Sequence, residues 1–279
     1  MNSSTQRGAG KSGAPLASSR SAVIADAAQL LQAKHRKSRG QFLLEGLQGV
    51  REALAEPDVV LRLFSSASAA DAHADLLDTA HHAGVPITVC DDTGIRRIAT
   101  AVTPLGLVAL CQASSVGLME VLGGARLVVY LHKVSDPGNL GTIIRTADAA
   151  GVDAVVLSPE CVDPYNDKAL RSTAGSIIHV PVLRDVAPED AIAAGRKSGL
   201  AVLATAAHGA SLASDAVADR LGGATMWIFG SEAHGLPADV IGAADTCVSV
   251  PLFGRAESLN VSVAAAVCVY ASAMAQRQH

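Results

Sequence analysis

Apolar positions follow two alternating rhythms along the chain. Short unbroken runs, such as "LVVYL" at 127–131 and "MWIF" at 226–229, are bounded by charged or turn residues and have the length of strands. Between them, apolar residues recur every third or fourth position, which is the helical period. In the second half the alternation is regular. "RLVVYLHKV" predicts a strand, "NLGTIIRTADAAG" a helix stopped by glycine, "AVVLS" a strand, "DKALRSTAG" a helix, "HVPVLRDV" a strand and "PEDAIAAGRKSG" a helix. Strands in "LAVLATAA", "TMWIFG" and "CVSVPLFG" follow, then a last helix in "SLNVSVAAAVCVYASAMAQRQ". Strands that are apolar almost throughout, separated by helices, imply a parallel sheet covered on both faces. Ligands on such sheets sit beyond the carboxyl ends of the strands.

The first half reads as a smaller α/β unit. "AVIADAAQLLQA" has helical spacing and runs into the basic "KHRKSRG". "GQFLLEG", "VVLRLFSS", "VPITVC" and "GLVALCQ" predict strands, with helices in "LQGVREALAE", "AADAHADLLDTAHHAG" and "DDTGIRRIAT". The expected organisation is a disordered tail over 1–20, an α/β domain over 21–112, a linker over 113–124 and a second domain over 125–279.

Composition narrows this picture. Apolar residues make up 49% of the chain but aromatic ones only 3%, so the core must be built from Val, Leu, Ile and Ala, as in α/β layers. The opening "MNSSTQRGAGKSGAPLASSRSA" lacks the apolar core of a secretory signal, and the apolar tract "VAAAVCVYASAMA" is too short to span a bilayer; a cytoplasmic protein without a membrane segment is expected. The five cysteines are widely spaced with no C-x-x-C pair, which suits buried thiols; no metal site is expected. Charge is uneven: residues 1–40 hold seven Lys/Arg against one acid, on a chain of net charge −4. That basic front suggests an anionic partner, with Lys34, Arg36, Lys37 and Arg39 as phosphate contacts.

Three predicted strand ends are unusual in composition: 136–146, 229–236 and 251–262. In the first, "DPGNLGTIIRTADAAG" places Asn139 as a helix cap and Gly141 where a group can approach the backbone, and sets Arg145 off the stripe of Leu140, Ile143, Ile144 and Ala147. It lacks G-x-G-x-x-G, and no acid ends the next strand, so a dinucleotide loop is disfavoured. The second, "IFGSEAHGLP", sets Glu232 between Gly230 and Gly235, with His234 as a weaker candidate base. In the third, "VPLFGRAESLNVSVAAA", Ser258 or Asn260 can cap the last helix.

Taken in order, "GNLGTIIRTADAAG", "FGSEAHGLP" and "VPLFGRAESLNVSVAAA" resemble the three motifs of the SpoU/TrmH branch of the SPOUT RNA methyltransferases. Ala233 stands where glycine is commoner. The first half, with "RGQFLLEGLQGVREAL" and "VTPLGLVAL", looks like the L30e-type substrate-binding domain that often precedes them. The resemblance implies a trefoil-knotted α/β domain, S-adenosylmethionine held in the knot, and a homodimer. It puts Gly230, Val250 and Leu259, with their neighbours Ser231, Pro251 and Gly254, at the cofactor, and Asn139, Arg145, Glu232, Ser258 and Asn260 on the family's functional polar positions. The reaction implied is methylation of a ribose 2′-hydroxyl of RNA, with ribosomal RNA favoured over transfer RNA because of the L30e-like front domain. Because a guanidinium stays protonated below about pH 12, Arg145 is better cast as orienting a phosphate and stabilising alkoxide charge than as the base. The rivals are a transfer-RNA methyltransferase and a non-catalytic RNA-binding or ribosome-assembly protein.

Overall fold

The computed structural model describes residues 16–278, so most of the tail expected to be disordered lies outside the described residues. Its last part is folded instead. Ala17 pairs with Cys90, donating to the Val89 carbonyl at 2.9 Å and accepting from Asp91 N at 3.1 Å.

The N-terminal unit runs α1 (Ala22–Gln29), α2 (Ala33–Arg39), β1 (Gln41–Glu45), α3 (Leu47–Ala55), β2 (Val60–Ser66), α4 (Ala67–Ala72), α5 (Ala74–His82), β3 (Ile87–Cys90), α6 (Asp92–Ile98) and β4 (Leu107–Gln112). Its four strands are ordered β1-β4-β2-β3, with β4 antiparallel to both neighbours and β2 parallel to β3. Alternation along β4 sends Leu107, Ala109 and Cys111 to one core and Val108 to a second, where it meets Ile24, Phe64, Ile95 and Ile98. The stretch expected to form one helix over 69–84 is two, because the His73 backbone turns out of the helical region (φ −130°, ψ 45°).

The C-terminal unit continues with α7 (Leu118–Leu122), β5 (Leu127–Leu131), α8 (Pro137–Ala150), β6 (Ala154–Leu157), α9 (Asp167–Thr173), β7 (Val182–Leu183), α10 (Pro188–Lys197), β8 (Ala201–Ser211), α11 (Asp215–Leu221), β9 (Thr225–Phe229), α12 (Ala238–Ala243), β10 (Thr246–Ser249) and α13 (Val261–Gln276). The stretch read as a linker thus carries α7, whose Leu122 is buried. The six strands lie β10-β8-β9-β5-β6-β7, all parallel. Leu127, Val129, Leu131, Trp227 and Phe229 face α8 and α13, whereas Val128, Tyr130, Met226 and Ile228 face α7, α10 and α12. Both faces are therefore covered, which is why the strands read as unbroken apolar runs.

Helix α8 starts three residues earlier than its apolar stripe implies. Asp136 is the cap, accepting from Asn139 N at 2.8 Å, and Pro137 occupies the first turn, where its missing N–H costs nothing. Asn139 is thereby freed from the capping role expected of it. Gly141 also has a different partner from the one expected: a Cβ there would lie 2.5 Å from the Ala169 carbonyl oxygen and from Ser172 Cβ. Its bareness lets α9 press against α8.

The two units share one continuous core, since Phe42, Leu44 and Val50 belong to the same cluster as Tyr165, Leu170 and Ile177. Phe42 stacks on Tyr165 with ring centroids 4.5 Å apart. Beside them Arg36, only 7% exposed, binds Asp163 at 2.7 Å and the Leu30 and Leu31 carbonyls at 2.8 and 2.9 Å.

Candidate functional site

The loops after β5, β9 and β10 meet at the carboxyl edge of the parallel sheet, and a chain of hydrogen bonds joins them. Asn139 Nδ2 donates to Glu232 Oε1 at 2.9 Å, and Asn260 Nδ2 donates to Asn139 Oδ1 at 3.0 Å. Asn260 Oδ1 in turn accepts from Ser262 N at 2.8 Å and Ser262 Oγ at 2.6 Å, which caps α13. An ionised carboxylate only accepts, so Asn139 must present its NH₂ to Glu232 and its oxygen to Asn260. The order of the chain therefore fixes both amide orientations. Burial pushes the Glu232 carboxyl up. Hydrogen bonds from Asn139 and from backbone N–H groups, including those of Ser135 and Asp136, outweigh this and hold it below the usual glutamate range.

Loop 230–236 owes its shape to its first and last glycines. Ser231 and Gly235 bridge one another through N–H···O bonds of 3.2 and 2.9 Å. This brings the Gly235 backbone so close to Gly230 that a Cβ there would sit 2.1 Å from the Gly235 carbonyl carbon. Gly235 itself has φ +65°, the left-handed region that favours glycine. Loop 252–260 is exposed along its whole length, and Phe253 is 95% exposed.

A cleft of about 400 Å³ opens beside the polar chain. Val250, Pro251, Leu259 and Ser258 line it, so four of the expected site residues gather there. Gly230 and Ser231 shape the adjoining loop, and Gly254 stands in the exposed part of loop 252–260. Thr205, Ala206 and Ala207, from the middle of β8, also line the cleft and were not anticipated. The run "ATAA" marks them: small residues in a strand flanked by β9 and β10 leave room for a ligand at the sheet edge.

Arg145 and His234 are both exposed, and Arg145 makes no ion pair or side-chain hydrogen bond among the described residues. It points away from the core of α8, as its place off the apolar stripe implies, and takes no part in the Glu232–Asn139–Asn260 chain. Of the basic run, Lys34 is exposed, Lys37 pairs with Asp185 at 2.9 Å and Arg39 pairs with Asp26 at 3.0 Å. Arg36 does not fit the role of phosphate contact. Its guanidinium is buried and spent on Asp163 and two carbonyls at the domain junction.

Among the described residues no group of three His, Cys, Asp or Glu side chains is arranged to hold a metal, and no helix is long and apolar enough to cross a membrane. Burial pushes the thiols up, to about 12 at Cys111 and Cys268.

Residues 126–270 match the SpoU rRNA Methylase family, and residues 22–109 match the MRM3-like substrate binding domain. The chain is 35% identical over 255 residues to the 23S rRNA (guanosine(2553)-2′-O)-methyltransferase RlmP of Bacillus subtilis, covering 91% of this chain and 96% of that protein. It is 31% identical to the 23S rRNA (guanosine-2′-O-)-methyltransferase RlmB of Ralstonia nicotianae over 70% of this chain and 80% of that one. Among solved structures, the AdoMet-bound rRNA methyltransferase of Sinorhizobium meliloti superposes with a TM-score of 0.78 at 29% identity, covering 92% of this chain and 96% of that one. The SpoU methyltransferase AviRb of Streptomyces viridochromogenes, in complex with AdoMet, gives 0.76 at 25% identity, covering 92% and 100%.

Proposed function

The chain belongs to the SpoU rRNA methylase family, and from that premise we propose that it transfers a methyl group from S-adenosylmethionine to a ribose 2′-hydroxyl of 23S ribosomal RNA. The observation that carries this reading is the hydrogen-bonded chain from Glu232 through Asn139 to Asn260, which ties three loops together at the edge of a cofactor-sized cleft. Ribosomal rather than transfer RNA is supported by the matched N-terminal substrate-binding domain and by the 23S substrates named for two relatives.

The cleft suits the cofactor chemically. Val250, Leu252 and Leu259 form an uncharged wall for a purine, and Ser258 offers a hydroxyl beside them. The bound cofactor supplies a methyl group already activated on a sulfonium sulfur. The protein is left to hold the loops, bring the hydroxyl into line and support the charge that develops on its oxygen. Asn139 and Glu232 hold the first turn of α8 and loop 230–236 together, and Asn260 joins loop 252–260 to them while capping α13.

Arg145 is assigned to the substrate. Its free guanidinium offers a planar fork to the phosphate next to the target ribose and a fixed cation to the forming alkoxide. Its separation from its own polar chain supports an active site completed across a homodimer, in which Arg145 of the partner subunit serves the cofactor cleft. Val263, Val267, Tyr270 and Met274 support that dimer: all four are at least 40% exposed, and they form one stripe down α13, a helix packed against α8. We also infer that the C-terminal segment is threaded as a trefoil knot. The placement of β10 beside β8 and the return of α13 against α8 support this.

The test is methyl transfer from labelled S-adenosylmethionine to ribosomal RNA, with nuclease digestion to locate the product. A 2′-O-methyl nucleoside formed by the wild type, and turnover reduced about 100-fold or more in Arg145→Lys with cofactor affinity unchanged, is the expected result. A base-methylated product would overturn the reaction assigned here, and near-normal turnover of Arg145→Lys would remove Arg145 from it.

A further inference from the structure

A second cleft, of about 210 Å³, lies at the carboxyl ends of β6 and β7 and is walled on its far side by α2 of the N-terminal unit. Three cations line it: Lys34 and Lys37, three residues apart and so on one face of α2, and Arg184 in the loop after β7. Resting on the reading above, we propose that this cleft is a composite phosphate site. It would hold the ribosomal-RNA backbone leading to the methylation site, and neither domain supplies it alone.

Position carries the first part of the argument. The cofactor cleft occupies the β8–β10 flank of the sheet and the start of α8 its middle, whereas this cleft occupies the β6–β7 flank. The segment leading into α8 is tied to this cleft at Ser158, which lines the cleft and whose Oγ accepts at 2.9 Å from Lys133 N, three residues before Asp136. An RNA strand reaching the start of α8 from the side away from the cofactor passes over these cations.

Pre-organisation carries the second part. Arg184 is not a loose surface cation: its guanidinium lies 5.1 Å from the Tyr165 ring centroid and 3.8 Å from Asp163. Tyr165 stacks in turn on Phe42, and Asp163 is gripped by Arg36 at 2.7 Å. The fork of Arg184 is thus aimed by residues of both domains, which lowers the entropy lost when it binds a phosphate. Asp163 and Asp185 are the acids lining the cleft. Buried Arg36 neutralises the first and Lys37 pairs with the second at 2.9 Å, which leaves Lys34 and Arg184 as the net cationic surface on a chain of net charge −4. The three loops on this edge also hold Lys133, Glu160 and Asp185 at φ of 52°, 68° and 60°. Each places a charged side chain where glycine would be cheaper by about 1 kcal/mol.

The probe is deproteinised 23S ribosomal RNA, bound over a potassium chloride titration. The proteins compared are the wild type, the triple variant Lys34→Ala/Lys37→Ala/Arg184→Ala, and Lys34→Glu alone. Lys34 is exposed and makes no ion pair among the described residues, so the single variant does not disturb packing. The slope of log affinity against log salt should fall by about two in the triple variant and by about one in Lys34→Glu. Cofactor affinity by calorimetry should stay unchanged in both. Unaltered slopes in both variants, beside a wild type that methylates the RNA, would overturn the cleft and leave the methyltransferase reading standing. A wild type that binds cofactor but methylates no RNA would instead strike the reading on which the cleft rests.

Discussion

Glu232 orders its neighbours because an ionised carboxylate cannot donate, and everything downstream in the polar chain depends on that ionisation. Its folded-state pKa is held below the ordinary value of 4.5, so its contribution to stability is complete above the unfolded value and is lost as pH falls through the folded one. The wild type should therefore lose its melting advantage over Glu232→Gln between about pH 5 and pH 3, and keep it near neutrality. A gap between the two melting temperatures that does not change with pH would mean that the Glu232 charge does not hold the loops. The ingredients of this site were legible in the sequence, but its wiring was not. Asn139 reads as a helix cap because Asn is a good one, yet Asp136 takes that place. Asn139's true partners are 93 and 121 residues away, beyond any local pattern.

At the scale of elements, strands were read correctly where burial on both faces leaves no polar residue to blur the run, as in β5 and β9. Three short elements escaped. Helices α7, α11 and α12 have five to seven residues, at most two turns in which to show a helical period, although α6 and α9, with seven each, were legible. Helix α13 carries a different ambiguity. Its apolar residues run round much of its circumference, so the sequence cannot tell which face is buried and which is left open. Fold and burial separate the two faces: Ala265, Cys268 and Val269 are buried, whereas Val263, Val267, Tyr270 and Met274 are not. In the proposed dimer, Val267→Glu combined with Met274→Glu should place two charges from each subunit in the interface without touching the monomer core. Light scattering should then report half the wild-type mass, and methyl transfer should fall with it, since Arg145 would lose the cleft it serves. A double variant that keeps the wild-type mass would exclude this stripe as the contact.

At the scale of the molecule, the basic run 34–39 shows why charge alone misleads. In sequence Arg36 is one of several equivalent cations, but folding divides them. Lys34 stays in solvent, while Arg36 becomes a buried polar centre of the junction, beside the Phe42–Tyr165 stack. No local pattern distinguishes them, because the distinction is made by Asp163, 127 residues away in the other domain. Arg36 and Asp163 have side chains only 8% and 19% exposed, so removing one partner strands a charge in a poorly solvated place. Arg36→Ala should lower the unfolding free energy by about 3–5 kcal/mol, against less than about 0.5 kcal/mol for Lys34→Ala. Both are readable as midpoints of urea denaturation. The double variant Arg36→Met/Asp163→Leu separates electrostatic need from packing. With neither member of the close pair left behind, it should recover part of the loss, the remainder reflecting Arg184 and the Leu30 and Leu31 carbonyls, which lose their partners. If Arg36→Ala unfolds at the same urea concentration as Lys34→Ala, the pair does not clamp the domains, and the junction is held by the Phe42–Tyr165 contact, its apolar surroundings and the more exposed pairs such as Lys37–Asp185.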